Sequence, residues 1–230
     1  KTFPSKTFQA QFIRHMGDRF EALPWSISID AADDTVSPFA DDASLLAVEF
    51  GLFDDSFLHE THDEYNADCF AFFDFEQRYR HSPMGGELSY YSDYDQRHAL
   101  DLQGPYGISF EQLAAQYHIT YMIGNDQPEY QTMARIRQAG MAIGYRFKIT
   151  QFSASATQSR ITVENTGIAP LYADAFVAVN GVRAQQSLKG LLPSQSQTVT
   201  VASGGSNPQL TIQSDRLVAG QAIGFEANLP

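Results

Sequence analysis

The sequence changes its pattern at Gly144, and this change constrains the fold more than any other feature. From there onward, short segments of strand length are separated by turn residues such as Asn180-Gly181. The segments are Phe147–Phe152, Arg160–Asn165, Ala173–Val179, Val182–Leu188, Gln197–Val201, Gln209–Ile212 and Ala222–Ala227. Short strands about ten residues apart are typical of a β-sandwich of the immunoglobulin-like type. We therefore expect an all-β domain over residues 146–230.

Before Gly144 the sequence alternates between strand-like and helix-like segments. Strands are predicted over Phe8–Arg14, Leu45–Phe53 and His118–Asp126, and helices over Ile108–Tyr117 and Pro128–Ala139, the second helix ended by Gly140. Alternation of strand, polar tip and helix indicates an α/β layer. A complete eight-unit barrel needs about 250 residues. Residues 1–145 are too few for that, so we expect an incomplete TIM-barrel-like layer.

Charge is distributed unevenly along the chain, and this excludes some classes of partner. The net charge is −12 over 230 residues. Residues 151–230 carry four basic and four acidic side chains, so the whole excess of acid lies in the first 150 residues, together with all six histidines. We therefore expect no binding to nucleic acid. No apolar run approaches the about 20 residues that span a bilayer, so no membrane insertion is expected.

Neither cysteine content nor the first residues locate the protein in the cell. The single cysteine, Cys69, excludes an internal disulfide and is predicted to be a small buried apolar residue. Residues 1–6 lack the apolar core of a signal peptide, so we expect that any export signal has been removed or never existed.

Acidic residues gather where the predicted central strand ends. Asp54 and Asp55 follow the apolar run Leu45–Phe53, and Glu87 follows the glycine pair Gly85-Gly86, which permits close approach of the backbone. Catalytic and binding groups collect at the carboxyl ends of parallel strands. If the protein hydrolyses glycosides, whether retaining or inverting, Glu87 is the candidate acid and Asp55 the candidate base or nucleophile.

Aromatic and polar residues near these carboxylates complete a predicted carbohydrate site. Tyr90 and Tyr91 alternate with serine and aspartate in a segment too polar to be buried, so we expect them to stack on a sugar ring. Trp25 is a further candidate for stacking on the sugar. His59 and Arg80 are candidates that, with Asp54, would adjust the pKa values of the carboxylates. Asn125 is the last candidate for ligand binding, because it follows a predicted strand.

Other functions remain open from the residues alone. The chain is a candidate for a non-enzymatic, lectin-like module or for the structural C-terminal half of a larger enzyme. A metal-dependent hydrolase would need His59 and His62 with Asp54 or Asp55, but the zinc-protease pattern of two histidines and a glutamate is not present. No cofactor is predicted. Calcium is the alternative, held by the acidic connector of Asp30, Asp33, Asp34, Asp41 and Asp42, although its spacing is not that of an EF-hand.

Four motifs in order resemble a known bacterial family. They are Phe50–Leu58 (FGLFDDSFL), Pro83–Glu87 (PMGGE), Gly144–Phe147 (GYRF) and Val163–Tyr172 (VENTGIAPLY). Together they resemble the domain of unknown function family 4832, over roughly residues 5–230.

That resemblance implies a secreted, periplasmic or cell-surface protein whose chain is the C-terminal part of a glycoside-hydrolase-like barrel and ends in a β-sandwich. It implies a site lined by Arg14, the Asp54-Asp55 pair and Glu87. The partners to expect are then carbohydrate and either a second copy of the chain or a missing N-terminal barrel segment.

Overall fold

The computed structural model describes residues 4–20, 23–33, 35, 37–60 and 62–227. The chain divides between Ile143 and Gly144 into two compact units, two residues before the predicted boundary. The first unit is a mixed α/β layer and the second is built from β-sheets, so the coarse prediction of α/β followed by all-β is confirmed. No helix in the described ranges is long and apolar enough to cross a membrane.

A four-stranded parallel sheet forms the centre of the first unit. Its strands are β1 (Ser26–Ser28), β2 (Gly51–Phe57), β3 (Met84–Leu88) and β4 (Ile119–Ile123), and they lie in chain order. All three strand pairs are parallel. Each connection therefore returns the chain to the same edge before the next strand begins, and all four carboxyl ends lie at the opposite edge.

Seven α-helices in the described part of the chain accompany this sheet. They are α1 (Lys6–Phe20), α2 (Ala67–Phe72), α3 (Phe75–Arg78), α4 (Asp93–His98), α5 (Phe110–Gln116), α6 (Gln127–Tyr130) and α7 (Met133–Ala142). Hydroxyl side chains cap three of them: Ser92 begins α4, Ser109 begins α5 and Thr132 begins α7. At α5 the cap is reciprocal, because Gln112 also accepts from the backbone N–H of Ser109. This confirms the serine-capped helix predicted from the sequence.

One face of the parallel sheet is buried and the other is partly exposed. Leu52 and Met84 pair across the sheet and are both fully buried, and side chains alternate along a strand. The buried face packs on helix α5, where the rings of Phe57 and Phe110 lie 6.1 Å apart. On the other face the ring of Tyr121 lies across Gly85, where an added Cβ would come within 2.3 Å of it. The close approach predicted for this glycine is confirmed.

Three predictions for the first unit were wrong. The segment Phe8–Arg14 is helical, because Phe8, Phe12 and Ile13 also fit a period of 3.6 residues, and the helix continues through Gly17 to Phe20. Gly17 of this helix packs against Val48, since an added Cβ would lie 2.6 Å from that side chain.

The second wrong prediction concerns the bounds of the central strand, and the third concerns Gly140 as the end of a helix. Residues Ala43–Ala47 form a 3-10 turn, and the strand begins at Gly51, so Asp54 and Asp55 lie within β2 and not beyond it. Gly140 lies inside α7 and does not end it.

The second unit contains the seven predicted strands. They are β5 (Phe147–Ala154), β6 (Ser159–Asn165), β7 (Phe176–Val179), β8 (Val182–Arg183), β9 (Ser196–Val201), β10 (Leu210–Gln213) and β11 (Phe225–Ala227). They form two sheets, ordered β10-β7-β8 and β11-β5-β6-β9, in which every pair except β11-β5 is antiparallel. Val177 and Ile212 of the first sheet join Ile161 and Val199 of the second in one buried core.

Candidate functional site

Loops that follow the four parallel strands meet at the carboxyl edge of the sheet. The backbone N–H of Ser89, just after β3, donates to the carbonyl of Phe57 at the end of β2 (2.9 Å). The side-chain amide of Asn125, after β4, donates to the carbonyl of Leu88 at the end of β3 (2.7 Å). The predicted residue Asn125 therefore ties two strand ends together. These bonds hold the loops of β2, β3 and β4 side by side.

A buried carboxylate organises this edge. Asp95, in the first turns of α4, is 1% exposed and accepts hydrogen bonds from the hydroxyl groups of Ser89 (2.5 Å), Ser92 (2.9 Å) and Tyr106 (2.5 Å). It also pairs with Nδ1 of His59 at 2.9 Å. Burial by itself raises the pKa of Asp95, but these four hydrogen bonds outweigh it and hold that pKa below its usual value.

Two tyrosines and a histidine form a stacked aromatic surface beside Asp95. The rings of His59 and Tyr91 stack with centroids 4.7 Å apart, and those of Tyr90 and Tyr91 are 6.2 Å apart and inclined by 13°. Tyr90 is 55% exposed and Tyr91 is 70% exposed. Because Asp95 binds Nδ1 of His59, the imidazole is fixed in orientation. The stacked aromatic surface (His59, Tyr90, Tyr91) is therefore supported from inside the unit.

A group of carboxylates lies near the ends of β1 and β2. Asp54 is fully buried, and its Oδ1 accepts from the side-chain amide of Asn66 (3.0 Å) and the backbone N–H of Ser56 (2.9 Å). Burial and the charge of Asp54 raise the pKa of Asp55. Loss of solvent around its carboxyl group, followed by the charges of Asp55 and Asp54, raises the pKa of Asp30 above the usual value as well. Asp30 and Asp55 therefore both keep their protons to a higher pH than a free aspartate does.

The strand geometry separates Asp54 from the other two predicted carboxylates. Asp54 lies opposite Gly86, where an added Cβ would be 3.5 Å from the Cβ of Asp54, so the two positions share the buried face. The register of β2 against β3 then shifts between Asp54 and Phe57, so Asp55 lies in an irregular part of the strand, while Glu87 lies in β3. Both are partly exposed. Asp54 therefore takes part in the packing of β2 against Asn66 and does not join an open site with the other two carboxylates.

The remaining predicted site residues lie elsewhere in the first unit. Arg14 is in α1, where its guanidinium binds Asp42 (2.5 Å) and Ser44 (2.8 Å). Trp25 precedes β1 and packs on Phe50, and Arg80 precedes β3. Trp25 and Arg80 are thus at the amino edge of the sheet, because the strands are parallel. The order of segments along the chain does not reveal at which edge of the sheet a residue outside a strand lies.

Sequence reasoning missed Asp95 and gave Asp30 a different role. Asp95 follows Ser92 by three residues, a capping pattern that predicts a helix start. That pattern does not predict that distant Ser89 and Tyr106 also donate to the carboxylate. Asp30 was assigned to the acidic connector, and its proximity to Asp55 arises from the pairing of β1 with β2.

The described residues contain no group of three or more histidine, cysteine, aspartate or glutamate side chains that could hold a metal ion. Of the predicted calcium ligands, Asp42 accepts from Ser44 and Arg14, and Asp33 accepts from Thr35. Asp34 and the side chain of His62, needed for the calcium and zinc alternatives, lie outside the described residues.

Comparisons with known proteins add no identification. No protein-family model matches the sequence, and neither a curated protein nor a solved structure matches the chain.

Proposed function

We propose that the first unit binds carbohydrate at the carboxyl edge of its parallel sheet. The stacked aromatic surface (His59, Tyr90, Tyr91) carries the proposal, because it presents exposed rings that the buried Asp95 holds in place. Aromatic faces with polar groups at their margins suit the C–H faces and hydroxyl groups of a sugar ring. A pre-ordered surface also lowers the entropy lost on binding.

Two partly exposed carboxylates supply the polar part of the proposed site. Asp55 and Glu87 lie on neighbouring strands, where each offers acceptors to sugar hydroxyl groups. Asn125 contributes by holding the loop after β4 against β3.

Glycoside hydrolysis is the second candidate function, and the raised pKa of Asp55 favours it. A general acid must keep its proton near neutral pH, which requires a raised pKa. The pKa of Asp55 is raised by burial and by Asp54, so Asp55 suits the acid and Glu87 the base or nucleophile. These roles are the reverse of those predicted from the sequence.

Architecture supports a relation to secreted carbohydrate-active proteins. Parallel strands in the order β1-β2-β3-β4 are what one half of a TIM-barrel-like layer would have, and the two sheets of the second unit are compatible with an immunoglobulin-like sandwich. Within the proposal, the chain is related to family 4832 and acts outside the cytoplasm, as a lectin-like module, an enzyme, or the C-terminal half of a larger enzyme.

A glycan array with the intact chain tests the proposal. We expect Tyr91→Ala to weaken binding about tenfold, which corresponds to about 1.4 kcal/mol of lost stacking. Phe8→Ala is the matched control, since Phe8 is an exposed aromatic residue (57%) of helix α1 and should not affect binding. No bound glycan, or binding that Tyr91→Ala leaves unchanged, would reject the site.

Hydrolysis is tested separately with the glycans that bind. Reducing-sugar release by the parent chain that is lost in both Asp55→Asn and Glu87→Gln would establish an enzyme. Binding without release by the parent chain would establish a lectin-like module.

A further inference from the structure

A second group of exposed rings lies beside the stacked aromatic surface. Tyr94 is in the first turn of α4, three residues after Tyr91, and is 50% exposed. The centroid of its ring lies 4.5 Å from that of His98, one helical turn further on, and 5.7 Å from that of Tyr106, in the loop before α5. Tyr106 and the side chain of His98 are each 41% exposed. Tyr94, His98 and Tyr106 are called the second ring group below.

Each ring of the second ring group is fixed through its polar atom. The hydroxyl of Tyr94 donates to a backbone carbonyl in the loop before α5 (2.9 Å), and the hydroxyl of Tyr106 donates to Oδ1 of Asp95 (2.5 Å). Nδ1 of His98 lies 2.6 Å from Oδ2 of Asp101. The polar ends therefore bind the protein, while the rings stay partly open to solvent. Rings that are already ordered lose little entropy when a ligand packs on them.

The stacked aromatic surface and the second ring group meet at Asp95. Oδ2 of this carboxylate binds Nδ1 of His59, and Oδ1 binds the hydroxyl of Tyr106, so each group is anchored on one oxygen of the same carboxylate. The exposed Glu60, which follows His59, is also close to Tyr106. Burial, the hydrogen bond to Asp95 and the charges of Asp95 and Glu60 together raise the pKa of Tyr106. The two ring groups therefore adjoin, with the carboxylate of Glu60 beside the point where they meet.

Charge around the second ring group restricts the ligands that it can bind. Glu60 and Asp93 are exposed beside its rings, and Asp101 pairs with His98. Arg97 of the same helix pairs with Asp93 at 3.9 Å. Three carboxylates at the margin of the rings repel an anionic ligand. The hydroxyl groups of an uncharged sugar, by contrast, can donate hydrogen bonds to them.

We propose that the second ring group extends the carbohydrate site, so that the carboxyl edge binds an uncharged oligosaccharide with different sugar units on the two ring groups. This inference rests on the proposed function and adds the class of ligand to it: a neutral chain of several units, in preference to a single sugar or an acidic glycan. Tyr91 and Tyr94 pack on the C–H faces of different units. Glu60 accepts a hydrogen bond from a sugar hydroxyl where the ring groups meet.

Calorimetric titration of the intact chain with neutral oligosaccharides of increasing length tests the inference. The probes are cello-, xylo-, manno- and chito-oligosaccharides of one to about six units, with oligogalacturonides of the same lengths as the acidic series. In a neutral series that binds, we expect the affinity to rise about tenfold when the chain becomes long enough to reach the second ring group, the effect of one further stacking contact. Oligogalacturonides should bind at least about tenfold more weakly than neutral chains of equal length. Affinity that does not rise with length, or tighter binding of the acidic series, would overturn the inference and leave the proposed carbohydrate binding in place.

Variants assign the gain in affinity to the second ring group. Tyr94→Ala should lower the affinity for the longer chains about tenfold, so that affinity no longer rises with length, whereas Tyr91→Ala should lower it at every length. Phe12→Ala is the matched control on α1, because Phe12 is 51% exposed and Tyr94 is 50% exposed. If Tyr94→Ala does not fold, His98→Ala removes another ring of the same group and should also reduce the gain. A gain that survives in these variants would overturn the inference alone, and binding of no glycan at any length would overturn the proposed function with it.

Discussion

Replacing Asp95 by asparagine tests whether the buried carboxylate supports the carboxyl edge. Four side-chain donors, from His59, Ser89, Ser92 and Tyr106, converge on its two oxygens. Asparagine has nearly the same shape but only one acceptor oxygen. The NH₂ group of the asparagine side chain then faces two of these donors, which in the parent chain donate to a charged carboxylate oxygen.

The expected loss of stability follows from the number of hydrogen bonds that the substitution removes. Hydrogen bonds to a charged group contribute about 1.5 to 3 kcal/mol each. With two of them lost and the others weakened by the missing charge, we expect Asp95→Asn to lower the free energy of unfolding by about 3 kcal/mol. Asp93→Asn is the matched control in the same helix. The side chain of Asp93 is 84% exposed and its ion pair with Arg97 spans 3.9 Å, so its loss should cost less than about 0.5 kcal/mol.

Urea unfolding followed by tryptophan fluorescence measures both changes in the first unit. The single tryptophan, Trp25, packs on Phe50 at 5.7 Å and reports on the same unit. Because the pKa of Asp95 is lowered in the folded state, its contribution is complete above the unfolded value of about 3.9 and is lost as the pH falls through the folded value. The difference between the parent and Asp95→Asn should therefore shrink below about pH 4. A loss no larger than that of Asp93→Asn would refute the reasoning.

Two further changes are predicted in the first unit. The pKa of Asp55 is raised in the folded state, so its stabilising contribution is present below the unfolded value of about 3.9 and disappears as the pH rises. Asp55→Asn should therefore be more stable than the parent at pH 7 but not at pH 3.5 in the same urea assay. An equal effect at both pH values would contradict this. Gly140→Ala should raise the free energy of unfolding by about 0.5 to 1 kcal/mol, because Gly140 is inside α7 and an added Cβ meets nothing within 4 Å. A lower thermal midpoint for Gly140→Ala would show that the position does not tolerate a side chain.

Local patterns were sufficient to predict much of the architecture. The strands of the second unit alternate with turn residues, and each of the seven segments contains an observed strand. Ser109 and Gln112 lie close in sequence, so the start of α5 was predictable from its cap. Cys69 was predicted to be buried and is 4% exposed. In each case the deciding interactions join residues within a few positions of one another or follow from the apolar character of the side chain.

The wrong start of the central strand arose because contacts between distant segments decide it. Gly51 begins β2 because its backbone packs against Pro83 and Ser26, and an added Cβ would lie 2.0 Å from the carbonyl oxygen of Pro83. This contact is not visible in the apolar run that precedes it. The same limitation affected the site: Tyr90 and Tyr91 could be predicted as exposed from their polar neighbours, but the amino-edge positions of Trp25 and Arg80 depend on the parallel arrangement of the strands.

Asp95 connects the packing of the first unit with its proposed function. Ser89 and Ser92 anchor the carboxylate to the loop after β3, and Tyr106 anchors it to the segment before α5. His59, from the loop after β2, is the fourth partner and carries the ring on which Tyr91 stacks. If the surface binds a sugar, disruption of Asp95 should weaken binding more at temperatures near the midpoint of unfolding than well below it. A direct ligand such as Tyr91 should weaken binding at all temperatures where the chain is folded, so the temperature dependence distinguishes a supporting residue from a contacting one.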